Sequence, residues 1–348
     1  MKLKNFSRLL LFAFVIMCIA PSCVKEGPQG LAGTNGTNGT NGQDGAAGTV
    51  TCLACHAGTS MDQKKAEFAM SEHAVGAVAV ASEGGNPSCA RCHSSQGFME
   101  YATLGAVAGT ITNPSPWECA TCHGLHKTFE AGDYALRFDA QPVPSNISAT
   151  YMFDFKNNSN LCVNCHQART AEPNIAKPGA TFAVSTRIGP HHGPQGNIVA
   201  GVGFAEIPGS VAYPAPGSST HYVGACTGCH MATFTNGQGG HSLIPSLAAC
   251  NTCHNATDKS FDHNGVQTEI AADLVKLRDL LIAKGLVVAT PSATDPTVFT
   301  YAAVSKTFPM VQAQAAFNYF GLMDDRSEGV HNPPYVRALL LNSIAALQ

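Results

Sequence analysis

A chain of 348 residues can hold one large domain or two ordinary ones. Only 12% of its residues are charged, and the formal net charge of -3 excludes the strongly basic surface of a nucleic-acid binder, so no nucleic-acid partner is expected. Hydrophobic residues reach 45%, yet aromatics stop at 7% with one tryptophan, Trp117, which leaves limited means of building a large side-chain core. The 14 cysteines and 14 histidines point instead to a prosthetic group that fills the interior.

In chain order, residues 1–22 read as a signal peptide. Lys2, Lys4 and Arg8 form its positive start, and Leu9 to Ala20 is an apolar segment too short to span a bilayer comfortably. Ala20-Pro21-Ser22 followed by Cys23 resembles a bacterial lipoprotein cleavage site, with Cys23 taking the lipid; Pro21 departs from the commonest form of that box. Plain secretion, with Cys23 a spare thiol, is the alternative. Lipid chains hold a protein on a membrane surface without a spanning helix. Val24-Lys25-Glu26 looks like the short charged signal that sends some lipoproteins to the cell surface. The expected location is therefore outside the cytoplasm, as an outer-membrane lipoprotein facing the periplasm or the exterior. Within residues 23–49, glycine recurs every third position from Gly27 to Gly48, but Pro28 is the segment's only proline, so a flexible tether is expected in place of a collagen helix. As a coil it would span roughly 25–30 Å.

Residues 50–348 carry Cys-x-x-Cys-His six times: Cys52-Cys55-His56, Cys89-Cys92-His93, Cys119-Cys122-His123, Cys162-Cys165-His166, Cys226-Cys229-His230 and Cys250-Cys253-His254. Two residues between the thiols let both sulfurs add to the two vinyl groups of one haem, and the next residue then lies under the iron as its proximal imidazole. Chance would supply roughly 0.02 such motifs in a chain with these Cys and His frequencies. Three four-cysteine zinc sites or a disulfide scaffold would use the thiols, but neither needs a histidine after every second cysteine. Six covalent haem c groups, with their irons, are the expected cofactors. About 54 residues per haem are too few to insulate each ring in its own domain, so the macrocycles are expected to pack on one another.

Eight histidines remain: His73, His126, His191, His192, His221, His241, His263 and His331. Six irons need six distal ligands for complete bis-histidine coordination. His126 is too close to His123 to cap the same iron and is expected to serve a neighbour. His73, His191, His221, His241 and His331 complete the expected distal set; His263 is left out, and His192 ranks behind its neighbour His191. Met70, Met99, Met152, Met231 and Met310 are possible substitutes, but methionine is more often core filler.

Gly, Pro, Asn and Ser between the motifs predict extensive loops. The tail differs. Ile270, Leu274, Leu277 and Leu281 share one face of a helix predicted over 267–284 and ended by Gly285. A second helix is predicted over about 309–321, and a third after Asn332 as N-cap, with Pro334 in its first turn. The fold class is thus mainly α with extensive loops and little β, organised around stacked haems, with a C-terminal helical part at about 265–348. His331 would stand at the start of the last helix, pointing back toward a haem.

Cys226-Thr227-Gly228-Cys229-His230-Met231, then Gly239-Gly240-His241-Ser242, then Cys250-Asn251-Thr252-Cys253-His254 resemble the C-terminal haem region of cytochrome c nitrite reductases and related multihaem cytochromes. Asp325-Arg326-Ser327 with Gly329-Val330-His331-Asn332-Pro333 looks like that group's distal-ligand segment. The likeness covers roughly 185–348, and it implies that residues such as His241 and His331 bind irons of other motifs. Nitrite reductases, however, commonly carry a lysine-ligated catalytic haem, and all six motifs here end in histidine. No catalytic residue is therefore assigned. The expected function is low-potential electron transfer with redox partner proteins or an external electron acceptor. The alternative is a reductase of a small nitrogen or sulfur oxyanion at one open haem, with His192, His263, Arg187 and Lys306 available for its pocket. A surface wire of polymerised chains is a third possibility, which the tether and lipid argue against.

Overall fold

The computed structural model describes residues 58–126, 134–138, 141–173, 180–254 and 259–348. Cys23 and the first motif, Cys52, Cys55 and His56, lie outside the described residues. Short helices and loops run first: α1 (Gly58–Ala69), α2 (Glu72–Val75), α3 (Ala77–Glu83), α4 (Pro87–His93), α5 (Ser95–Leu104) and α6 (Cys119–Cys122). A two-residue ladder joins β1 (Val143–Pro144) to β2 (Met152–Phe153), and α7 (Ser159–Val163), β3 (Thr181–Val184), α8 (Gln195–Ala200), α9 (His221–His230) and α10 (Leu247–Cys250) follow.

The tail holds the longest elements. α11 (Val266–Ala283) leads into strands β4 (Val287–Pro291), β5 (Phe299–Ala303) and β6 (Lys306–Pro309), then α12 (Met310–Asp325) and α13 (Pro333–Leu347). α11 buries the four predicted residues, Ile270, Leu274, Leu277 and Leu281. At its end Gly285 adopts φ 74°, and the amides of Gly285 and Leu286 return to Ile282 and Leu281, which satisfies carbonyls the helix leaves free. The region is not helical throughout. β4 and β5 form an antiparallel hairpin with Val287 opposite Ala303, and β6 pairs antiparallel with the distant β3, Phe308 opposite Phe182. α12 also outruns its predicted end at 321. Gly321 does not stop it; a Cβ there would lie 2.4 Å from Phe204 Cε1, so this glycine permits close packing, and the turn falls at Arg326 with φ 58°.

Side-chain burial is uneven. α11, α12 and α13 pack with β4 to β6 around Leu277, Leu281, Phe317, Tyr335, Leu339 and Leu340. A smaller cluster holds Val143, Phe153, Phe155, Val163 and Val199. Among the described residues of 58–126, the buried hydrophobics are Val80, Ala90 and Phe98. Three apolar side chains cannot offset the entropy of ordering so long a stretch. That shortage is what a bulky apolar prosthetic group would relieve.

Leu277 is fully buried at the centre of the C-terminal cluster. Leu277→Ala is expected to cost about 2–5 kcal/mol, read as an earlier loss of far-ultraviolet helical signal in denaturant. Asn332, 2% exposed, caps α13 by accepting from the Tyr335 amide and donates through Nδ2 to the Ile198 carbonyl at 3.0 Å. Asn332→Ala removes both links, and a loss of about 1–3 kcal/mol is expected in the same measurement.

Candidate haem-binding centres

Each described Cys-x-x-Cys-His segment lies on a helical turn or at a helix end. Asn86 caps α4 by accepting from the Ser88 amide at 3.1 Å, and Pro87 occupies the first turn. At α6 the Glu118 amide donates to Thr121 Oγ1 at 2.9 Å in a capping box. In α9 the backbone breaks at Ala225, with φ 41° and ψ -134°. This break re-aims the chain between His221 and His230, and the two rings face different partners.

Each of the five described motif histidines has an imidazole from outside the motifs at 5.9 to 6.4 Å. His73 faces His166 with ring centroids 5.9 Å apart, and His191 faces His93 at 6.2 Å. His241 faces His123 at 6.4 Å, His221 faces His254 at 6.0 Å, and His331 faces His230 at 6.4 Å. A metal between two imidazoles, with metal–nitrogen bonds of about 2.0–2.1 Å on each side, holds ring centroids roughly 6.3 Å apart. The residues therefore fit an iron between each pair. His263 lies 4.0 Å from His254, too close for an atom between the rings. His192 has its side chain 83% exposed and Nδ1 3.4 Å from Asp324. His126 takes φ 51° and His191 φ 71°, a left-handed conformation that histidine tolerates better than most residues.

Backbone carbonyls set the tautomers. His123 Nδ1 lies 2.6 Å from the Tyr134 oxygen, His230 Nδ1 2.7 Å from that of Leu243, and His221 Nδ1 2.5 Å from that of Val330. A carbonyl only accepts, so Nδ1 carries the proton and the Nε2 lone pair is left for a metal. His166 Nδ1 meets Gln195 Oε1 at 3.1 Å, and Gln195 Nε2 donates onward to the Asp324 carbonyl at 3.1 Å. His331 Nδ1 meets the buried Asp325 carboxylate at 2.7 Å.

Burial also keeps imidazoles neutral, the form a metal requires. His73 is pushed down to about 4, first by burial and then by His166 and His230, and its ring stands edge-on to Trp117 at 5.3 Å. Burial lowers His166, with the Gln195 hydrogen bond working against it. For His331 burial acts downward, but the charge and hydrogen bond of Asp325 outweigh it and hold the ring above its ordinary value. Asp325 and Gln195 escaped the sequence reading. Asp325 stood in the quoted Asp325-Arg326-Ser327 segment, six residues before His331; Gln195 has no local signal.

The motifs and the sparse side-chain core define the class of the multihaem c-type cytochromes, whose cofactor is haem c with its iron. The comparisons agree with this class. The chain is similar to the C-type polyheme cytochrome OmcC of Geobacter sulfurreducens, 24% identical over an alignment of 326 residues that spans 74% of this chain and 42% of the relative. It is also similar to the C-type polyheme cytochrome OmcB of the same organism, 25% identical over 254 residues, 57% of this chain and 33% of that one. The chain thus spans less than half the length of these curated relatives. Its fold resembles the crystal structure of the outer cell wall cytochrome OcwA, with a TM-score of 0.51 and 20% identity over 82% of this chain and 50% of that one. No family model matches. Among the described residues, no helix is long and apolar enough to cross a membrane.

Proposed function

We propose that this chain is an electron relay of six low-potential haems, each iron held between two imidazoles. The observation that carries the reading is the facing of five motif histidines by five others at 5.9 to 6.4 Å. The distal partners are His191 for His93, His241 for His123, His73 for His166, His331 for His230 and His221 for His254. His126 remains the sixth distal ligand expected from the sequence, for an iron other than that of its own motif. Two imidazoles per iron give lower potentials than an imidazole and a thioether. Complete coordination leaves no iron open to a substrate, which favours a carrier over an oxyanion reductase.

Contacts between attachment segments support a continuous line of haems. Ser95, just after His93, hydrogen-bonds Thr121 of the third motif at 2.7 Å. Cys92 Sγ approaches the Asn164 carbonyl at 3.9 Å while Cys165 Sγ approaches that of Arg91 at 3.7 Å, which joins the second and fourth motifs. Ser159 Oγ, ahead of the fourth motif, accepts from the Thr227 amide of the fifth at 3.0 Å. The Ser246 amide, ahead of the sixth, donates to the Cys229 carbonyl at 3.0 Å. The order along the line is third, second, fourth, fifth, sixth. Cys23 lipidation would hold this relay on an outer-membrane face by its tether, where it would pass electrons between redox partner proteins or to an external acceptor.

Electron paramagnetic resonance of the oxidised, intact protein tests the reading, with iron per chain measured alongside. Six irons giving only low-spin signals are expected. A high-spin iron that binds nitrite or cyanide would turn the assignment toward the reductase.

A further inference from the structure

Electron flow along a line of similar haems depends on how the potentials differ, and hydrogen bonds to axial ligands are one lever a protein has over them. The Nδ1 acceptors differ in one respect that bears on this. At His123, His221 and His230 they are backbone carbonyls, and at His166 a side-chain amide oxygen, all neutral. Glu67 lies 3.7 Å from His241 Nδ1, beyond hydrogen-bond reach, and accepts from the His241 amide instead. At His331 the acceptor is a carboxylate at 2.7 Å, and Asp325 is only 3% exposed.

The local structure holds that carboxylate in place. Asp325 ends α12, Arg326 turns the chain with φ 58°, and Ser327 reaches back so that its hydroxyl donates to Asp325 Oδ2. The His331 amide in turn approaches Ser327 Oγ at 3.3 Å. Gln195 Nε2 donates to the Asp324 carbonyl at 3.1 Å, which ties down the backbone just ahead of Asp325. The carboxylate is thus buried, held at Oδ2 by Ser327 and directed at one imidazole through Oδ1.

We propose that Asp325 is a positioning residue that sets the potential of the fifth haem, the one attached at Cys226 and Cys229, making it harder to reduce than it would be with a neutral acceptor. The inference rests on the reading above that His230 and His331 share that iron. A hydrogen bond from Nδ1 to a carboxylate makes the imidazole a stronger electron donor, and donation favours the ferric state over the ferrous. No covalent bond forms or breaks. One electron arrives from a neighbouring haem and passes on, and the proton stays between Nδ1 and Oδ1. Since the fifth haem lies between the fourth and sixth in the line, Asp325 would raise a step inside the relay and not at either end.

The test is a spectroelectrochemical titration of the full-length protein carrying Asp325→Asn, which keeps size and a hydrogen-bond acceptor but removes the charge. One of the six midpoint potentials is expected to rise, with reduction of that haem about tenfold easier, or about 59 mV for one electron. Ser327→Ala supplies a shift of opposite sign: without the donor on Oδ2 the carboxylate keeps more charge for Nδ1, and the same potential is expected to fall. His331→Ala, measured by electron paramagnetic resonance, separates the two levels of the argument. If it leaves every iron low-spin, the ligand assignment falls and this inference with it. If it yields one high-spin iron while Asp325→Asn leaves all six potentials in place, the inference alone is overturned. Should Asp325→Asn not assemble, Ser327→Ala decides: a fall supports the inference, and no fall overturns it.

Discussion

Replacing His73 by alanine is expected to turn about one-sixth of the iron from low-spin to high-spin and to open that site to cyanide. The expectation follows from the position of the ring. His73 stands opposite His166, is packed edge-on against the lone tryptophan, and is kept neutral by burial. It sits just inside α2, whose N-cap Ser71 side chain accepts from the Ala74 amide and whose end is turned by Gly76 at φ 45°. The helix is one turn long, so alanine there has little else to disturb. Electron paramagnetic resonance with and without cyanide reads the result, and His192→Ala serves as the control. His192 is largely exposed and faces Asp324, so no change of spin state is expected from its loss. Conversion of two irons by His73→Ala, or of none, would break the proposed pairing.

The second large effect is expected from removing the haem at the fourth motif with Cys162→Ala and Cys165→Ala together. This motif touches the second through Cys92 and Arg91 and the fifth through Thr227. Its helix, α7, also lies in the smaller apolar cluster through Val163. Loss of a metal-centred cross-link belongs to the few changes that cost more than about 4–5 kcal/mol. The damage should be local in a telling way. Residues 58–126 bury few apolar side chains and should lose protection, while α11, α12 and α13 keep a side-chain core of their own. Hydrogen exchange read by mass spectrometry would show fast exchange before residue 170 and preserved protection in 266–347. Uniform loss across the chain would contradict the view that haem supplies the missing interior of the N-terminal half.

The legible parts of the sequence were those with a local cause. The face of α11, the glycine after it and the Asn332 cap all act within a few residues of themselves, and periodicity or a capping pattern exposes them. The pairing of β3 with β6 has no such signal: Phe182 meets Phe308 across most of the C-terminal half, and neither strand is long enough to announce itself. Gly321 shows the same limit from the other side. Nothing local marks it as a packing position, because its meaning depends on Phe204, which only the fold brings near. Among the candidate centres, the motif cysteines and histidines stand out in the sequence by their fixed spacing, the one that covalent attachment of a haem would require. Which ring faces which was not, because His93 and His191, His123 and His241, and His230 and His331 are joined only by tertiary structure. Asp325 and Gln195 were missed for a related reason: the significance of each depends on a ring it meets after folding.

The lateness of His331 in the chain has a consequence for biogenesis. A nascent polypeptide emerges from its N-terminus onward, and early segments fold before late ones are made. The fifth motif therefore becomes available for attachment while the segment bearing its facing ring is still to come. During that interval an iron held there would have one axial side uncovered, open to small oxidants and to stray ligands. Docking of α13 by its Asn332 clasp would close this window, so the step that fixes this helix would also be the one that shields the fifth motif.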